Sequence, residues 1–228
     1  MASVRRGGER GIPRRRDNHL TRMTAPAVSL CEVEGTPDNI AMVHRLLGSS
    51  LHYSMVISGS PPSAEDAAAV FSSCPPTVSR RDKHVYAIST GEEIIGIADV
   101  LNGYPSPGVA FIGLLLISGS FQRRGFGRSS LERIIELAIA WGCTRLRLAV
   151  VEANGHAAGF WLRSGFTDTG TRVPYENGSV SSQSMIFERE LPRRSATPVH
   201  CASFEAPANY SPSNDARSIS LTPWTTEH

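Results

Sequence analysis

The chain has 228 residues, of which 40% are hydrophobic and 19% are charged, and its formal net charge at pH 7 is +2. This composition is ordinary for a globular protein with an adequate hydrophobic core, and the length suits one domain with flanking segments. No apolar run approaches the roughly 20 residues that a membrane-spanning helix needs, so we expect a soluble, cytoplasmic protein without a membrane partner.

The first 27 residues are rich in arginine. They hold seven arginines against Glu9 and Asp17, a net charge of +5, so the rest of the chain carries −3. Such a segment is typical of a nucleic-acid-binding arm, an organellar transit peptide or sequence ahead of a later start at Met23. Its glycines, its Pro13 and its lack of apolar periodicity disfavour a targeting helix. We expect residues 1–27 to be a disordered, dispensable leader, with no nucleic acid as partner.

The first elements of the domain are predicted from alternation and from helix caps. Residues 28–33 alternate apolar and polar side chains like a strand. Thr36 followed by Pro37 is typical of a helix start, and this helix is predicted to continue to about Val56. Residues 63–66 form a capping-box pattern that begins a second helix, which ends at a Cys-Pro-Pro sequence.

A three-stranded meander is predicted next. Its hairpin strands lie at 84–90 and 93–101, with Asp99 at the centre of the second strand. A turn rich in proline and glycine at 105–108 returns the chain into residues 109–117. The continuous apolar run of this third strand is typical of a strand buried on both faces.

The segment after the third strand indicates an anion site. A basic turn, residues 122–129 and called the cradle below, opens a helix whose apolar residues recur at helical spacing up to Trp141. Gly125 and Gly127 let the backbone approach a ligand, and the first N–H groups of the helix carry the positive end of its dipole. The cradle lacks the Gly-Lys-Ser/Thr ending of a Walker loop and the third glycine of a Rossmann fingerprint, so an NTPase or a dinucleotide-binding protein is disfavoured.

The remaining elements complete the sheet. A strand is predicted at 145–151, a helix at 154–164 and two closing strands at 166–175 and 179–190, joined across an Asn-Gly turn. The elements together predict a mixed α/β (α+β) fold, a mainly antiparallel central sheet of six to seven strands with helices on both faces.

The end of the chain is predicted to be a tail. Residues 193–228 are rich in Ser, Thr and Pro and show no sustained period, so they cannot bury enough apolar surface to offset the entropy of ordering. We expect a disordered tail there and one catalytic-sized domain at 28–192.

Two sequence blocks resemble the GNAT N-acetyltransferase family. Residues Gln122–Gly127 match the pattern Gln/Arg-x-x-Gly-x-Gly/Ala, and residues Asn154–Phe166 match Asn-x-x-Ala-x-x-Phe-aromatic-x-x-x-Gly-Phe. Their order and separation, with a helix and a strand between them, make the pair specific. The resemblance extends over roughly residues 28–191. It implies a GNAT-like fold and an acetyl-CoA-dependent N-acetyltransferase.

The resemblance also implies a position for acetyl-CoA, the co-substrate. The strand at 109–117 would splay from the strand at 145–151, and the pantetheine arm would enter the gap. Its amides would pair with backbone groups near Leu116, Ile117 and Ser118. The pyrophosphate would be held by the whole cradle, namely Gln122, Arg123, Arg124, Gly125, Phe126, Gly127, Arg128 and Ser129.

Further contacts are implied by the second block. Asn154 would contact the pantetheine arm, while Phe160 and Trp161 would pack near the thioester. Many family members have a tyrosine where Trp161 stands, and its hydroxyl is credited with protonating the departing thiolate. Indole cannot serve as that acid. Either Tyr104 or Tyr175 replaces it, or the thiolate leaves unassisted, which a thiol pKa of about 8.5 allows. We favour the second alternative.

Attack of an amine on a thioester also requires a group that takes up the amine proton. A carboxylate, or a water that it holds, is the expected base. Asp99 and Glu152 are the two candidates, although each is equally consistent with an ordinary polar strand or turn residue.

The sequence leaves the acceptor and the assembly open. The acceptor is a small-molecule amine or a peptide N-terminus, and the protein is a monomer or a homodimer. Two alternatives are a non-catalytic acyl-CoA-binding regulatory module and a nucleic-acid partner acting through the leader. No metal and no structural disulfide are expected, because metal-ligand spacing is lacking among the four cysteines, Cys31, Cys74, Cys143 and Cys201.

Overall fold

The computed structural model describes residues 25–192. The predictions for a disordered leader and a disordered tail therefore lie outside the described residues. Within this range the strands are β1 Ser29–Glu32, β2 Lys83–Thr90, β3 Glu93–Asn102, β4 Val109–Ile117, β5 Arg145–Val151, β6 Thr167–Asn177 and β7 Val180–Glu190. The α-helices are α1 Pro37–Gly48, α2 Leu51–Ser58, α3 Ala64–Ser72, α4 Phe126–Ala140 and α5 Gly155–Arg163.

The seven described strands form one sheet in the order β1-β2-β3-β4-β5-β7-β6. Every neighbouring pair is antiparallel except β4 and β5, which run parallel. The parallel pair arises because the chain crosses over through α4 between them, as a parallel connection requires. The predicted mixed, mainly antiparallel sheet of six to seven strands is confirmed.

Helices cover both faces of the sheet, as predicted. On one face, Val43 of α1 and Ala67 of α3 pack into one apolar cluster with Ile97 of β3. On the other face, Ile134 of α4 packs into a second cluster that includes Ala98, the next residue of the same strand. All five side chains are fully buried. Successive side chains of a strand point to opposite faces, so β3 is buried on both sides at the centre of the molecule.

The prediction of one continuous helix to about Val56 is wrong. The helix ends at Gly48 and a second helix begins at Leu51. Glycine and serine have low helix propensity, and serine side chains compete for backbone partners. The Ser49 hydroxyl donates to the Leu46 carbonyl at 2.7 Å. The intervening Ser50 adopts non-helical angles (φ −125°, ψ 49°), and its hydroxyl lies 3.3 Å from the Ile117 carbonyl at the end of β4.

The predicted caps and the predicted hairpin are confirmed. The Thr36 hydroxyl accepts from the Asn39 amide at 3.3 Å at the start of α1. At the start of α3, Ser63 and Asp66 form a reciprocal capping box with distances of 3.1 and 2.8 Å. Gly178, with φ +56°, makes the turn between β6 and β7.

The parallel pair β4–β5 opens along its length. Its ladder runs from Val109 opposite Arg145 to Ile112 opposite Leu148 and ends there. β5 nevertheless stays paired with β7 as far as Val151. The register of β3 against β4 shifts between Asp99 and Val100, which leaves Gly113 as the extra residue of a β-bulge. The remaining part of β4 therefore diverges from β5 and leaves the expected gap in the sheet.

The C-terminal end of α2 contacts the hairpin of β6 and β7. The Tyr175 hydroxyl donates to the Ile57 carbonyl at 3.0 Å, and the Ser179 amide donates to the Ser58 carbonyl at 3.1 Å. These bonds satisfy carbonyl groups that the end of a helix leaves without intrahelical partners. They also place α2 beside the gap between β4 and β5.

Candidate functional site

A cavity of about 310 Å³ lies at the gap between β4 and β5 and is called the cleft below. Its walls come from β4 at Gly113–Leu115, from β5 at Leu148–Val151 and from α2 and α3. Most lining side chains are apolar. The lining also includes polar and aromatic residues that bear on the chemistry, namely Tyr53, Asp66, Asp99, Asn154, Trp161 and Tyr175.

The cradle follows β4 directly, through a short 3-10 turn at Gly119–Phe121. Arg123 has φ +60°, and Gly125, the N-cap of α4, has φ +91°. Only glycine enters this left-handed region without strain. Gly125 provides no side-chain cap, so the first N–H groups of α4 lack the partner that a Ser, Thr or Asp would supply. A helix start of this kind is suited to bind a phosphate group.

The arginines of the cradle have different surroundings. The guanidinium of Arg124 lies 5.2 Å from the ring centre of Phe121 and 5.5 Å from that of Phe126. Arg128 forms an exposed ion pair of 3.3 Å with Glu132, of a kind that contributes little to stability. Arg123 is exposed. The cradle therefore presents positive charge on the surface beside the helix start.

Gln122 fixes the cradle to the rest of the fold. Its side-chain amide donates to the Ile117 carbonyl at 2.7 Å and lies 3.3 Å from the Ser50 hydroxyl. Ser118 donates its backbone N–H to the Ile95 carbonyl at 2.8 Å, and Leu116 is paired with Ile97 in the β3–β4 ladder. The structure thus gives protein partners to the Ser118 amide and the Ile117 carbonyl, two of the backbone groups near the position that the sequence assigned to pantetheine. The part of β4 that lines the cleft beyond the β5 ladder is Gly113–Leu115.

Ser129 and Phe160 lie at the junction of the cradle with the core. The hydroxyl oxygen of Ser129 is buried and has no hydrogen-bond partner among the described residues. A Cβ placed on Gly127 would lie 3.6 Å from the Phe160 ring, an ordinary packing distance. Phe160 therefore packs against the first turn of α4.

Asn154 and Trp161 form the α5 side of the cleft. The Asn154 side-chain oxygen caps α5 by accepting from the Ala157 amide at 3.3 Å. The Trp161 ring is buried, 5.1 Å from the Phe166 ring in an edge-on arrangement. The structure thus brings both residues to the cleft.

Asp99 is the buried carboxylate of the cleft. Its Oδ2 lies 2.6 Å from Nζ of Lys83, and the two side chains are only 9% and 3% exposed. Its Oδ1 is buried and has no hydrogen-bond partner among the described residues. Burial raises the pKa of the Asp99 carboxyl above its ordinary value, and Lys83 opposes this effect without cancelling it. Lys83 was not singled out from the sequence.

Glu152 and Tyr104 lie outside the cleft lining. Glu152 is exposed and accepts from Arg172 at 3.1 Å, and Arg172 also forms a two-pronged bond with Asp168 at 2.8 and 2.9 Å. Tyr104 is buried in a separate cluster, with its ring 5.4 Å from that of Phe111, and its amide bonds the carbonyl of the first residue of β4. The cradle follows the opposite end of that strand. Of the three predicted catalytic residues, the structure brings only Asp99 to the cleft.

Two aromatic hydroxyls line the cleft. Burial raises the pKa of Tyr175 to about 12 and raises the pKa of Tyr53 further. The Tyr53 hydroxyl is also influenced by the nearby carboxylates of Asp66 and Asp99. Both phenols therefore stay protonated at neutral pH. Tyr53 has no motif around it, and Asp66 was assigned only to the capping box of α3, so sequence reasoning missed both as cleft residues.

Other kinds of site are not apparent in the described range. Residues 25–192 contain no group of three or more His, Cys, Asp or Glu side chains arranged to hold a metal ion. The cysteines of this range, Cys31, Cys74 and Cys143, are free. None of the described helices is long and apolar enough to span a bilayer.

Known structures share this architecture. An acetyltransferase from Thermus thermophilus is 26% identical, with a TM-score of 0.57, and the match covers 74% of this chain and 100% of that one. The ribosomal-protein-S18-alanine N-acetyltransferase from Escherichia coli is 15% identical, with a TM-score of 0.51, over 75% and 99% of the two chains. A chimeric spermidine N-acetyltransferase that includes the Vibrio cholerae protein is 14% identical, with a TM-score of 0.56, over 72% and 95%.

The family comparison agrees with the two sequence blocks. Residues 53–166 match the model of the acetyltransferase (GNAT) family, and this range contains the cradle, the gap between β4 and β5, Asp99 and the whole of α5. The chain therefore belongs to the GNAT acetyltransferase family.

Proposed function

We propose that this protein transfers the acetyl group of acetyl-CoA to a primary amine by direct attack of the amine on the thioester, with Asp99 as the general base. The observation that carries the proposal is the position of Asp99. Its unpartnered Oδ1 belongs to a buried carboxylate in a cleft that lies at the gap between β4 and β5, and the cradle follows the same end of β4.

The described residues fit acetyl-CoA as donor. Gly125 and the uncapped start of α4 suit a pyrophosphate, with Arg123, Arg124 and Arg128 nearby. Beyond Ile112, β4 has no strand partner on its β5 side, so backbone groups that point to that side are available to the amides of a pantetheine arm. Bound acetyl-CoA supplies the activated acyl group.

Asp99 is suited to accept the amine proton. As the N–C bond forms and the C–S bond breaks, one proton leaves the amine nitrogen, and Oδ1 of Asp99 is the acceptor in this scheme. Burial raises the pKa of this carboxyl above its ordinary value, which makes it a stronger base than an exposed aspartate. Glu152 is a weaker candidate because it is exposed and bonded to Arg172 outside the cleft lining.

The leaving thiolate needs no dedicated acid in this scheme. Trp161 stands at the position of the family tyrosine and has no acidic hydroxyl. The Tyr175 hydroxyl already donates to the Ile57 carbonyl, and Tyr104 lies outside the cleft lining. A thiol with a pKa of about 8.5 is a tolerable leaving group near neutral pH.

The acceptor class proposed here is a small-molecule amine or a peptide N-terminus. The carboxylates of Asp66 and Asp99 line the cleft, and carboxylates favour the approach of a cationic group. Spermidine and the alanine of ribosomal protein S18 appear in the names of two structural neighbours and represent these two kinds of amine. We propose a cytoplasmic monomer or homodimer.

Calorimetric titration of the full chain with acetyl-CoA, coenzyme A and ATP tests the donor. We expect micromolar binding of the two coenzyme A species. We expect no binding of ATP, because the protein has no Walker loop at the cradle to hold its triphosphate. Thiol release over a panel of polyamines, alkylamines and peptides then tests turnover. Coenzyme A binding without thiol release on any amine would favour the non-catalytic regulatory module. A folded protein that binds neither coenzyme A species would refute the proposed function.

A further inference from the structure

Lys83 and Asp99 form a buried ion pair between the neighbouring strands β2 and β3. Lys83 is the first residue of β2, and its Nζ lies 2.6 Å from Asp99 Oδ2 on the neighbouring strand β3. Lysine is almost never fully buried unless it is paired, and this side chain is only 3% exposed. Burying an ammonium group costs free energy, which the carboxylate beside it offsets.

The β2–β3 register explains how the pair forms. Val85 lies directly opposite Asp99, and Lys83 precedes Val85 by two residues, so Lys83 and Val85 share one face of the sheet. Lys83 is therefore the diagonal neighbour of Asp99 across the two strands. A diagonal separation in a sheet is within reach of a long side chain such as lysine.

The bulge in β4 constrains the same carboxylate from the other side. A Cβ placed on Gly113 would lie 2.8 Å from Asp99 Oδ2, closer than real Cβ contacts allow. The carboxylate thus occupies the space that a side chain at position 113 would take. Oδ2 is held between Lys83 and the Gly113 backbone, while Oδ1 remains without a partner among the described residues.

The electrostatic surroundings of Asp99 come from four elements besides its own strand. Lys83 and His84 of β2 favour its ionised form. Tyr53 of α2, Asp66 of α3 and Tyr175 of β6 line the same cleft, and burial raises the pKa of both tyrosines. Lys83 is therefore the main group that favours the ionised form of Asp99 against the effect of burial.

We propose that Lys83 is a positioning residue of the acetyl-transfer reaction, which holds Oδ2 of Asp99, leaves Oδ1 for the amine proton and favours the ionised form of the carboxylate. This inference rests on the proposed function, in which Asp99 is the base. Lys83 itself transfers no proton in this scheme. One proton passes from the amine nitrogen to Oδ1 and later to solvent, which restores the ion pair.

The test compares Lys83→Met, which removes the positive charge, with Lys83→Arg, which keeps it. The pH profile of kcat/KM is recorded by thiol release with one amine, so the titration of the amine itself is common to all variants. For Lys83→Met we expect the acidic limb to move up by about one pH unit or more, with a loss of about tenfold or more at pH values on that limb and little loss on the plateau above it. Lys83→Arg should keep the limb close to that of the wild type. Coenzyme A affinity should stay the same in both.

A control variant and a second readout separate positioning from folding. Arg133→Met removes an exposed ion pair on α4, 2.9 Å from Glu136, and should leave the pH profile unchanged. The Asp99 carboxyl resonance, identified by its loss in Asp99→Asn, is titrated by carbon-13 NMR in the wild type and in Lys83→Met. It should titrate at higher pH in the variant, whether or not an acceptor amine is known.

The outcomes are distinguishable. A Lys83→Met protein that is less stable or less active, but has an unmoved acidic limb and an unmoved Asp99 titration, would show that Lys83 is merely structural and would overturn the inference. A wild-type protein that releases no thiol on any amine would instead contradict the proposed function. The NMR titration would still decide whether Lys83 controls the charge of Asp99.

Discussion

The Tyr175 hydroxyl of β6 donates a 3.0 Å hydrogen bond to the Ile57 carbonyl of α2, although 118 residues separate them in the chain. The same carbonyl accepts from the Asn177 side chain at 3.3 Å. The bond therefore connects the helix on one wall of the cleft to the hairpin on the other. It gives the Tyr175 hydroxyl a structural role rather than a role in proton transfer.

Tyr175→Phe should lower the free energy of unfolding by about 1 kcal/mol, the typical net value of one such hydrogen bond. Asn177 still bonds the Ile57 carbonyl, which limits the loss. The acceptor KM should rise because α2 lines the cleft, while coenzyme A affinity should not change. Urea unfolding and steady-state kinetics measure these effects. Tyr86→Phe is the control, since Tyr86 is equally buried and lies outside the cleft lining. A large fall in kcat for Tyr175→Phe would instead indicate an acid role.

Gly125→Val should abolish coenzyme A binding. The residue has φ +91°, and its Cβ would meet Pro26 at 3.1 Å and block the approach of a phosphate to the helix start. Gly142→Val is the matched control, because Gly142 has φ +81° at the other end of α4 with nothing within 4 Å. Each variant should lose roughly 1–2 kcal/mol of stability from the left-handed backbone.

Calorimetry with coenzyme A separates the two glycine variants. We expect binding to vanish for Gly125→Val and to persist for Gly142→Val at similar stability. Loss of binding in both would mean that helix α4 as a whole is perturbed, and retained affinity in a folded Gly125→Val protein would refute the cradle as the pyrophosphate site.

Gly113→Ala should reduce turnover by displacing the Asp99 carboxylate. The added Cβ would lie 2.8 Å from Oδ2, so the carboxylate or the bulge must move, and overpacking of this kind costs about 1–3 kcal/mol. Gly48→Ala at the end of α1 adds a methyl group to open space and should leave turnover unchanged. Kinetics and urea unfolding are the measurements. Unaltered kcat in Gly113→Ala would argue against a fixed Asp99 as the base.

Asp99→Asn should lower kcat strongly while coenzyme A affinity changes little, since Asp99 lies in the cleft and not in the cradle. Calorimetry and thiol release test the two parts separately. A variant with wild-type kcat would remove Asp99 as the base. Glu152→Gln is the comparison, and a greater loss there would reassign the base to the exposed carboxylate.

The stability of the wild type should depend on pH through Asp99. Its pKa is raised in the folded state, so its contribution to stability is fully present below the unfolded pKa of about 3.9 and is lost as pH rises through the folded value. The double variant Lys83→Met with Asp99→Asn lacks this dependence and leaves no unpaired buried charge.

The double variant should therefore gain stability relative to the wild type as pH rises from about 4 towards neutrality. Urea unfolding at a series of pH values measures the difference. A difference that stays constant over this range would show that the pKa of Asp99 is not raised.

Most elements of the sheet were predictable because their signals are local. Alternating or continuous apolar runs marked the strands, and turns such as Asn177-Gly178 separated them. The break between α1 and α2 was not predicted, although the run Gly48-Ser49-Ser50 carries the signal, because the apolar residues on either side suggested one helix. The break depends on a tertiary hydrogen bond, from Ser50 to the end of β4.

The backbone geometry of the cradle, a glycine turn that opens a helix, was predictable because it depends on one short segment. The residues that surround the cleft were less predictable. Lys83 was missed because the strand was predicted to start one residue later, at His84, which left the lysine in a loop. Tyr53 and Asp66 reach the cleft from separate helices, and no local pattern indicates that two helices converge on one strand. Asp99 and Glu152 were equal candidates for the base, and only the tertiary structure shows that Asp99 lies in the cleft and Glu152 outside its lining.

The short helix α2 is hydrogen-bonded to the rest of the fold at both of its ends. At its start, Ser50 bonds the end of β4, and at its close the carbonyls of Ile57 and Ser58 bond the hairpin of β6 and β7. β4 lies on one side of the opening in the sheet, and the hairpin belongs to the other side. The helix therefore links the two sides of the opening and restrains its width without a bound ligand. A pre-organised opening spares a ligand the entropic cost of ordering its own site.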